Sequence, residues 1–168
     1  MNRKKSIDLL NHAAADELHA VHQYMYFHFH LDDQGYGPLA LLFKRTAIEE
    51  MMHIELLAER ILFLKGDVQL VAAGEVEKIN DPQAMLVKAA GMEQASAAFY
   101  NKAAADCAAL HDSASKQLLE RLVGDEERHY DQYDKQLDHL KQFGEKYLAL
   151  QSFAAPSSPS GPADERKP

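Results

Sequence analysis

The sequence has no tryptophan and a single cysteine, Cys107, among its 168 residues. One cysteine excludes an intrachain disulfide and any paired CxxC motif, which fits a reducing compartment. No apolar stretch approaches the length that a bilayer-spanning helix needs. The basic N-terminus also lacks the apolar run of a signal peptide. These absences make the cytoplasm the expected location and argue against a membrane protein.

Positive charge is in deficit, with 18 lysines and arginines against 26 aspartates and glutamates. The resulting net charge of −8 argues against nucleic acid or an anionic membrane as a partner. Runs of β-branched residues are missing, whereas strong helix formers dominate the composition. The sequence therefore predicts a single all-α domain.

Breakers and capping residues divide the chain into helices. The predicted helices run from about Ser6 to Asp33, from Pro38 to near residues 65–67, from Pro82 to about Leu110, from Ser113 to Gly144, and over a short piece at 145–153. The domain is expected to span residues 1–153. Residues 154–168 hold four of the six prolines and are expected to form a disordered tail.

Loop lengths predict how these helices are arranged. The first and third connections are short, so each joins two antiparallel neighbours. The second connection has roughly 14 residues and could extend about 45 Å, which is about the length of one helix. It can therefore run back along the bundle. The expected fold is an all-α four-helix bundle with one long crossover connection and a short fifth helix.

The motif Glu-x-x-His occurs twice, on the second and the fourth predicted helix. Each motif is accompanied by a glutamate on the preceding helix, and corresponding positions in the two halves lie 76 residues apart. The six residues are Glu17, Glu50, His53, Glu93, Glu126 and His129. Tyr24 and Tyr100 keep the same spacing, each seven residues after a glutamate and hence on its helix face. One such motif is usually solvated surface, but the repetition of all these positions is hard to obtain by chance.

Four glutamates and two histidines in a bundle core are the ligand set of a di-iron or di-manganese carboxylate site. Four buried carboxylates carry about −4 of charge, which two divalent cations would compensate. Oxygen ligands with one nitrogen per metal suit iron or manganese better than zinc or copper. The tyrosines are either core residues with one hydrogen bond or partners of this site.

Several segments together resemble the bacterioferritin family, the haem-containing branch of the ferritins. They are "ADELHAVHQYMYFH", "IEEMMHIELLAERILFLKGD", "GMEQA" and "LVGDEERHYDQYDKQLDHL". The similarity covers about residues 6–152 and includes the short fifth helix.

The resemblance implies that the six residues form a ferroxidase centre with two iron ions per subunit. Glu50 and Glu126 would bridge the two ions, Glu17 and Glu93 would be terminal carboxylates, and one histidine would complete each ion. The family oxidises Fe(II) with O2 or H2O2 and stores ferric mineral in a 24-subunit shell built from dimers. A ferredoxin-type electron donor is a further partner that the resemblance implies.

The family also binds a haem shared between two subunits, held by one methionine from each. Helical geometry places Met51 and Met52 each about 130° from the inward direction, on opposite sides, and does not choose between them. The resemblance selects Met51 as the axial ligand.

One departure from the family pattern concerns an additional iron site on the inner wall of the shell. The positions that match its histidine and aspartate are Arg45 and Glu49. An arginine cannot bind a cation, which puts this inner-wall iron in doubt.

Two other classes of protein are compatible with the same residues. A di-iron oxidase or peroxidase of the rubrerythrin or manganese-catalase type can use the same six ligands without storing mineral. A structural bundle without metal would leave four inward glutamates unexplained. The mass in solution separates the first alternative from a ferritin shell.

Overall fold

The computed structural model describes residues 3–153, and every regular element within them is a helix. The helices are α1 (Arg3–Asp33), α2 (Gly37–Phe63), α3 (Pro82–Ala109), α4 (Ser113–Phe143) and α5 (Glu145–Phe153). The predicted all-α class, four long helices and short fifth helix are confirmed. The expected disordered tail, residues 154–168, lies outside the described residues. None of the helices in the described part combines the length and the apolar content needed to cross a membrane.

Two helix starts depend on aspartate caps. The Asp81 carboxylate accepts a hydrogen bond from the backbone N–H of Ala84 at 2.8 Å. Asp112 accepts one from the N–H of Ser115 at 3.2 Å. Each cap satisfies a backbone donor that has no partner within its own helix. The predicted helix starts at Pro82 and Ser113 are confirmed.

The crossover between α2 and α3 runs along α1. Two buried amide side chains of α1 hold it: Asn11 Nδ2 donates to the Asp67 carbonyl at 3.0 Å, and Gln23 Nε2 donates to the Glu77 carbonyl at 3.0 Å. Their oxygens accept hydrogen bonds from the crossover in return: Asn11 Oδ1 from the N–H of Gln69 at 2.9 Å, and Gln23 Oε1 from the N–H of Glu77 at 2.8 Å. Because the crossover spans α1 from its N-terminal to its C-terminal part, α3 starts at the same end of the bundle as α2. This confirms the predicted topology.

The bundle interior contains two separate apolar clusters. One surrounds the aromatic rings of Tyr24, Phe27 and Phe43, and the other surrounds Leu57 and Cys107. On α1 the first cluster begins at Ala20 and the second ends at Ala14. A polar layer lies between them, and the predicted ligands occupy it.

Candidate metal centre

Six side chains predicted from the sequence meet in the polar layer between the apolar clusters. They are Glu17, Glu50, His53, Glu93, Glu126 and His129, and each is at most 4% exposed. Their ligand atoms form two groups of four, and within each group all atoms lie within 4.8 Å of one another. The structure therefore brings together every residue of the predicted set.

Two glutamates, Glu50 and Glu126, belong to both groups of four. Each group adds one further glutamate, from α1 or α3, and one histidine, from α2 or α4. This arrangement has the connectivity of two adjacent cation positions with two shared carboxylates.

The two imidazoles present the same nitrogen to the centre. His53 Nδ1 lies 2.8 Å from Glu50 Oε2 and 3.3 Å from Glu126 Oε1. His129 Nδ1 lies 3.0 Å from Glu50 Oε1. Residues three apart are neighbours on a helix surface, so each Glu-x-x-His pair delivers both side chains to one point. Nδ1 is thus the nitrogen available to a cation, and Nε2 points away.

Two buried tyrosines bind the glutamates that are not shared. The Tyr24 hydroxyl donates to Glu93 Oε1, and the Tyr100 hydroxyl donates to Glu17 Oε1. Each bond crosses between α1 and α3. Burial raises the pKa of both phenols well above the usual value, so both remain donors at neutral pH. Of the two roles considered for these tyrosines, the structure supports the one at the site.

The outward nitrogens of the imidazoles face two carboxylates whose contacts with the histidines were not predicted from the sequence. Glu49 Oε2 lies 2.9 Å from His129 Nε2, and Asp125 Oδ2 lies 3.5 Å from His53 Nε2. A signal for them existed, because each directly precedes a shared glutamate and the two are 76 residues apart. An acceptor at the second nitrogen leaves the first with its lone pair free for a cation.

Burial changes the protonation of the glutamates. It raises the pKa of Glu17 to about 8, and the charge of nearby Glu50 adds to this shift. It also raises the pKa of Glu126 to about 10, although contact with His53 opposes the change. The pKa of Glu93 moves in the same direction, again because of burial. A carboxyl group removed from water takes up a proton when no cation compensates its charge.

The histidines are shifted towards the protonated form. Burial disfavours a charged His53, but the surrounding carboxylates, Glu126 first, raise its pKa to about 12. His129 responds in the same way, and contact with Glu50 contributes most to a pKa of about 11. Burial would raise the pKa of Glu50, yet its two imidazole neighbours hold it at about 2. Protons therefore neutralise most of the charge of the metal-free centre.

The donor atoms of the centre fit a pair of divalent cations. Several fully buried atoms of the centre meet only in close ion-pair contacts and form no directed hydrogen bond within the described chain, among them Glu50 Oε1 and Oε2, Glu126 Oε1 and His129 Nδ1. Buried polar atoms in native proteins almost always form a hydrogen bond, so atoms without one that converge on one point indicate a ligand. Carboxylate oxygens with one imidazole per position match the preferences of iron and manganese.

Metal binding to this centre should release protons, because a cation requires unprotonated carboxylates and free imidazole nitrogens. Glu17, Glu126, His53 and His129 all have a raised pKa, from about 8 to about 12, so each holds a proton at pH 7. We expect up to about four protons to leave when two Co(II) ions bind. Co(II) affinity should accordingly rise as the pH increases from 6 to 8. Calorimetry in two buffers of different ionisation enthalpy measures the number released.

The exposed carboxylate Glu127 provides a matched control for this titration. The Glu127→Ala protein should release the same number of protons as the unmodified protein. Binding without proton release would contradict the protonation pattern described above.

Met51 and Met52 lie outside the centre on the surface of α2, and each is 51% exposed. Ile48, one turn earlier, is 47% exposed and extends the apolar surface. Neither methionine contributes to the polar layer, as the helical geometry predicted. Half-exposed apolar side chains of this size fit a surface that an apolar group or a second subunit covers.

Arg45 and Glu49 line a shallow cavity of about 340 Å³ between α2 and α4. Besides its contact with His129, the Glu49 carboxylate accepts a hydrogen bond from Arg128 Nη2 at 2.7 Å. The cavity wall thus combines a fixed positive charge with a carboxylate that already has partners.

Comparison with known proteins gives consistent matches over nearly the whole chain. A sequence model of the ferritin-like domain matches residues 7–143. The bacterioferritin of Desulfovibrio desulfuricans is 36% identical over 163 residues, which cover 97% of this chain and 90% of that protein. The bacterioferritin of Brucella melitensis is 36% identical over 153 residues, with 91% and 94% covered. That of Rhodobacter capsulatus is 34% identical over 151 residues, with 89% and 93% covered.

The fold has a solved counterpart at similar identity. The X-ray structure of the Desulfovibrio desulfuricans bacterioferritin, described with its diiron site in different catalytic states, superposes with a TM-score of 0.91. The two chains are 35% identical, and the match covers 95% of this chain and 93% of the other.

Proposed function

The chain belongs to the bacterioferritin family of ferritin-like proteins, and from this premise we propose that it oxidises Fe(II) at the buried centre and stores the ferric product. The observation that carries the proposal is the pair of overlapping four-residue groups that share Glu50 and Glu126. A pair of adjacent positions allows two ferrous ions to be oxidised together. Each ion loses one electron, and O2 or H2O2 accepts the two electrons.

Each residue of the centre has a distinct part in binding the two ferrous substrates. Glu50 and Glu126 bridge the ions and keep the two positive charges close together. Glu17 and Glu93 each complete one position, and the hydroxyls of Tyr100 and Tyr24 fix the orientation of these carboxylates. Each histidine supplies one nitrogen, His53 to one ion and His129 to the other. The apolar clusters on both sides exclude water, which strengthens the electrostatic interactions inside the centre.

We further propose that the protein assembles from dimers into a hollow 24-subunit shell. The half-exposed apolar side chains on α2 suit a surface that a second copy of the chain covers. Met51 would provide a thioether to a haem held between two copies, which adds no charge to a buried symmetric interface. When bound, such a haem supplies one-electron redox chemistry, for which a ferredoxin-type protein in the cytoplasm is the proposed electron donor.

We propose no additional iron site on the inner wall. Arg45 occupies the position expected to carry a histidine, and a guanidinium offers no lone pair to bind a cation. The Glu49 carboxylate already contacts His129 and Arg128 at hydrogen-bond distance. Iron would therefore meet a positive charge and an occupied carboxylate at this position.

Anaerobic addition of Fe(II) followed by oxygen or peroxide tests the proposal. We expect each chain to bind two Fe(II) ions and to oxidise them in a rapid phase that saturates at this stoichiometry. Further Fe(II) should then be converted to a soluble ferric mineral that remains with the protein. The mass in solution should be measured on the same protein, because a shell of several hundred kilodaltons supports the storage of mineral. A dimer that oxidises iron without retaining mineral would favour the alternative, an oxidase or peroxidase of the rubrerythrin or manganese-catalase type.

A further inference from the structure

Arg128 on α4 lies between two carboxylates at the edge of the metal centre. Its Nη2 atom donates to Glu49 Oε2 at 2.7 Å and to Asp125 Oδ1 at 3.0 Å. One nitrogen thus connects a residue of α2 to a residue of α4. The side chains of Arg128, Glu49 and Asp125 are 44%, 42% and 29% exposed, so the group borders solvent.

The same two carboxylates reach the outward nitrogens of both histidines. Glu49 from α2 contacts His129 of α4 at 2.9 Å, and Asp125 from α4 contacts His53 of α2 at 3.5 Å. The contacts therefore cross between the two helices, and Arg128 joins them into one continuous chain of five side chains. The imidazoles at its ends are almost fully buried, at 0% and 6% exposure of their side chains.

We propose that Arg128 is a positioning residue that orients both histidines for metal binding, acting through Glu49 and Asp125. The inference rests on the proposed function, since it assumes that the histidines bind cations. A metal-bound imidazole donates its second N–H to an acceptor, and the placement of that acceptor sets the orientation of the ring. Here Glu49 is within hydrogen-bond distance of His129, Asp125 makes a longer ion-pair contact with His53, and both carboxylate side chains are partly exposed to solvent. A shared guanidinium holds both in place.

The six ligands correspond pairwise between the two halves of the chain, but Arg128 has no such counterpart. The position that corresponds to Arg128 in the first half of the chain, 76 residues earlier, is Met52. A single arginine therefore serves both halves of the centre. The acceptor contact of His129 is shorter than that of His53, by the distances given above, so His129 should depend on Arg128 more strongly.

Titration of the metal-free protein with Co(II) alone tests this role, and the d–d absorption bands report both affinity and coordination geometry. The unmodified protein should bind two Co(II) ions per chain. Arg128→Met keeps most of the aliphatic stem and should weaken Co(II) binding by about tenfold, the lower end of the range for outer partners of metal-bound histidines. The d–d spectrum should also change. Arg128→Lys retains a donor between the carboxylates and should recover most of the affinity.

Arg121→Met is the matched control. Arg121 is exposed on the same helix seven residues earlier, so the substitution removes the same charge from nearly the same face. It should leave the Co(II) titration unchanged. Exposed ion pairs contribute little to folding, so all these proteins should melt at similar temperatures without metal. Equal Co(II) affinities of the Arg128→Met and Arg121→Met proteins would overturn the inference.

A double-mutant cycle tests the route through Glu49. Glu49→Leu removes the acceptor of His129, so adding Arg128→Met to it should cause a smaller loss of affinity than Arg128→Met alone. Strictly additive losses would show that Arg128 does not act through Glu49. Failure of the proposed function gives a different result, because the unmodified protein would then not bind two Co(II) ions per chain.

Discussion

Glu50→Ala and Glu126→Ala are each expected to abolish the rapid phase of Fe(II) oxidation. These two glutamates belong to both groups of ligand atoms, so either substitution affects both cation positions at once. With one of the two bridging carboxylates removed, the cations would face each other with less compensating charge, and the paired site should be lost. We expect the rate at two Fe(II) per chain to fall by about 10²-fold or more, as measured by stopped-flow absorbance.

The chain offers two matched controls for these substitutions. Glu55→Ala on α2 and Glu127→Ala on α4 remove exposed carboxylates from the same helices. Both control proteins should retain the rapid phase. The Glu50→Ala and Glu126→Ala proteins should keep the mass in solution of the unmodified protein, because both glutamates are buried inside the bundle. An unaltered rapid phase in either the Glu50→Ala or the Glu126→Ala protein would contradict the assigned centre.

Met51→Leu should eliminate bound haem while assembly and Fe(II) oxidation remain nearly unchanged. Leucine keeps the volume and the apolar character of the side chain but has no sulfur to bind the haem iron. Met51 lies on the surface of α2, outside the polar layer, so its replacement should not affect the buried carboxylates. The Soret absorbance per chain after saturation with haem measures the loss.

Met52→Leu is the control for this experiment. The Met52 side chain is as exposed as that of Met51, at 51%, and the substitution makes the same chemical change one residue later. The Met52→Leu protein should retain haem. Retention of haem by the Met51→Leu protein together with loss from the Met52→Leu protein would transfer the ligand role to Met52.

The sequence alone was sufficient to identify all six residues of the candidate centre and the starts of α3 and α4. Two properties of the chain explain this. Helix ends depend on local chemistry, such as the aspartates that cap α3 and α4. The ligands repeat at a spacing of 76 residues, and the regular geometry of a helix converts this spacing into a shared inward direction.

Contacts between residues distant in the chain were not available from the sequence. The crossover could be predicted from its length, but its attachment through Asn11 and Gln23 depends on backbone groups 54 to 58 residues away. Nothing in the local sequence distinguishes these two amides from ordinary polar residues of a helix surface. Their role follows only from the folded bundle, in which both are buried and bind the backbone of the crossover.

The same limit applies to the surroundings of the histidines. That Glu49 reaches His129, and that Arg128 joins Glu49 to Asp125, follows from the distance and rotation between α2 and α4. Protonation of the centre is likewise a tertiary property, because burial and neighbouring charges raise the pKa of Glu126 to about 10. Local spacing determined which side chains point inward. Only the packing of the helices decided what each inward side chain contacts, because those distances depend on residues far apart in the chain.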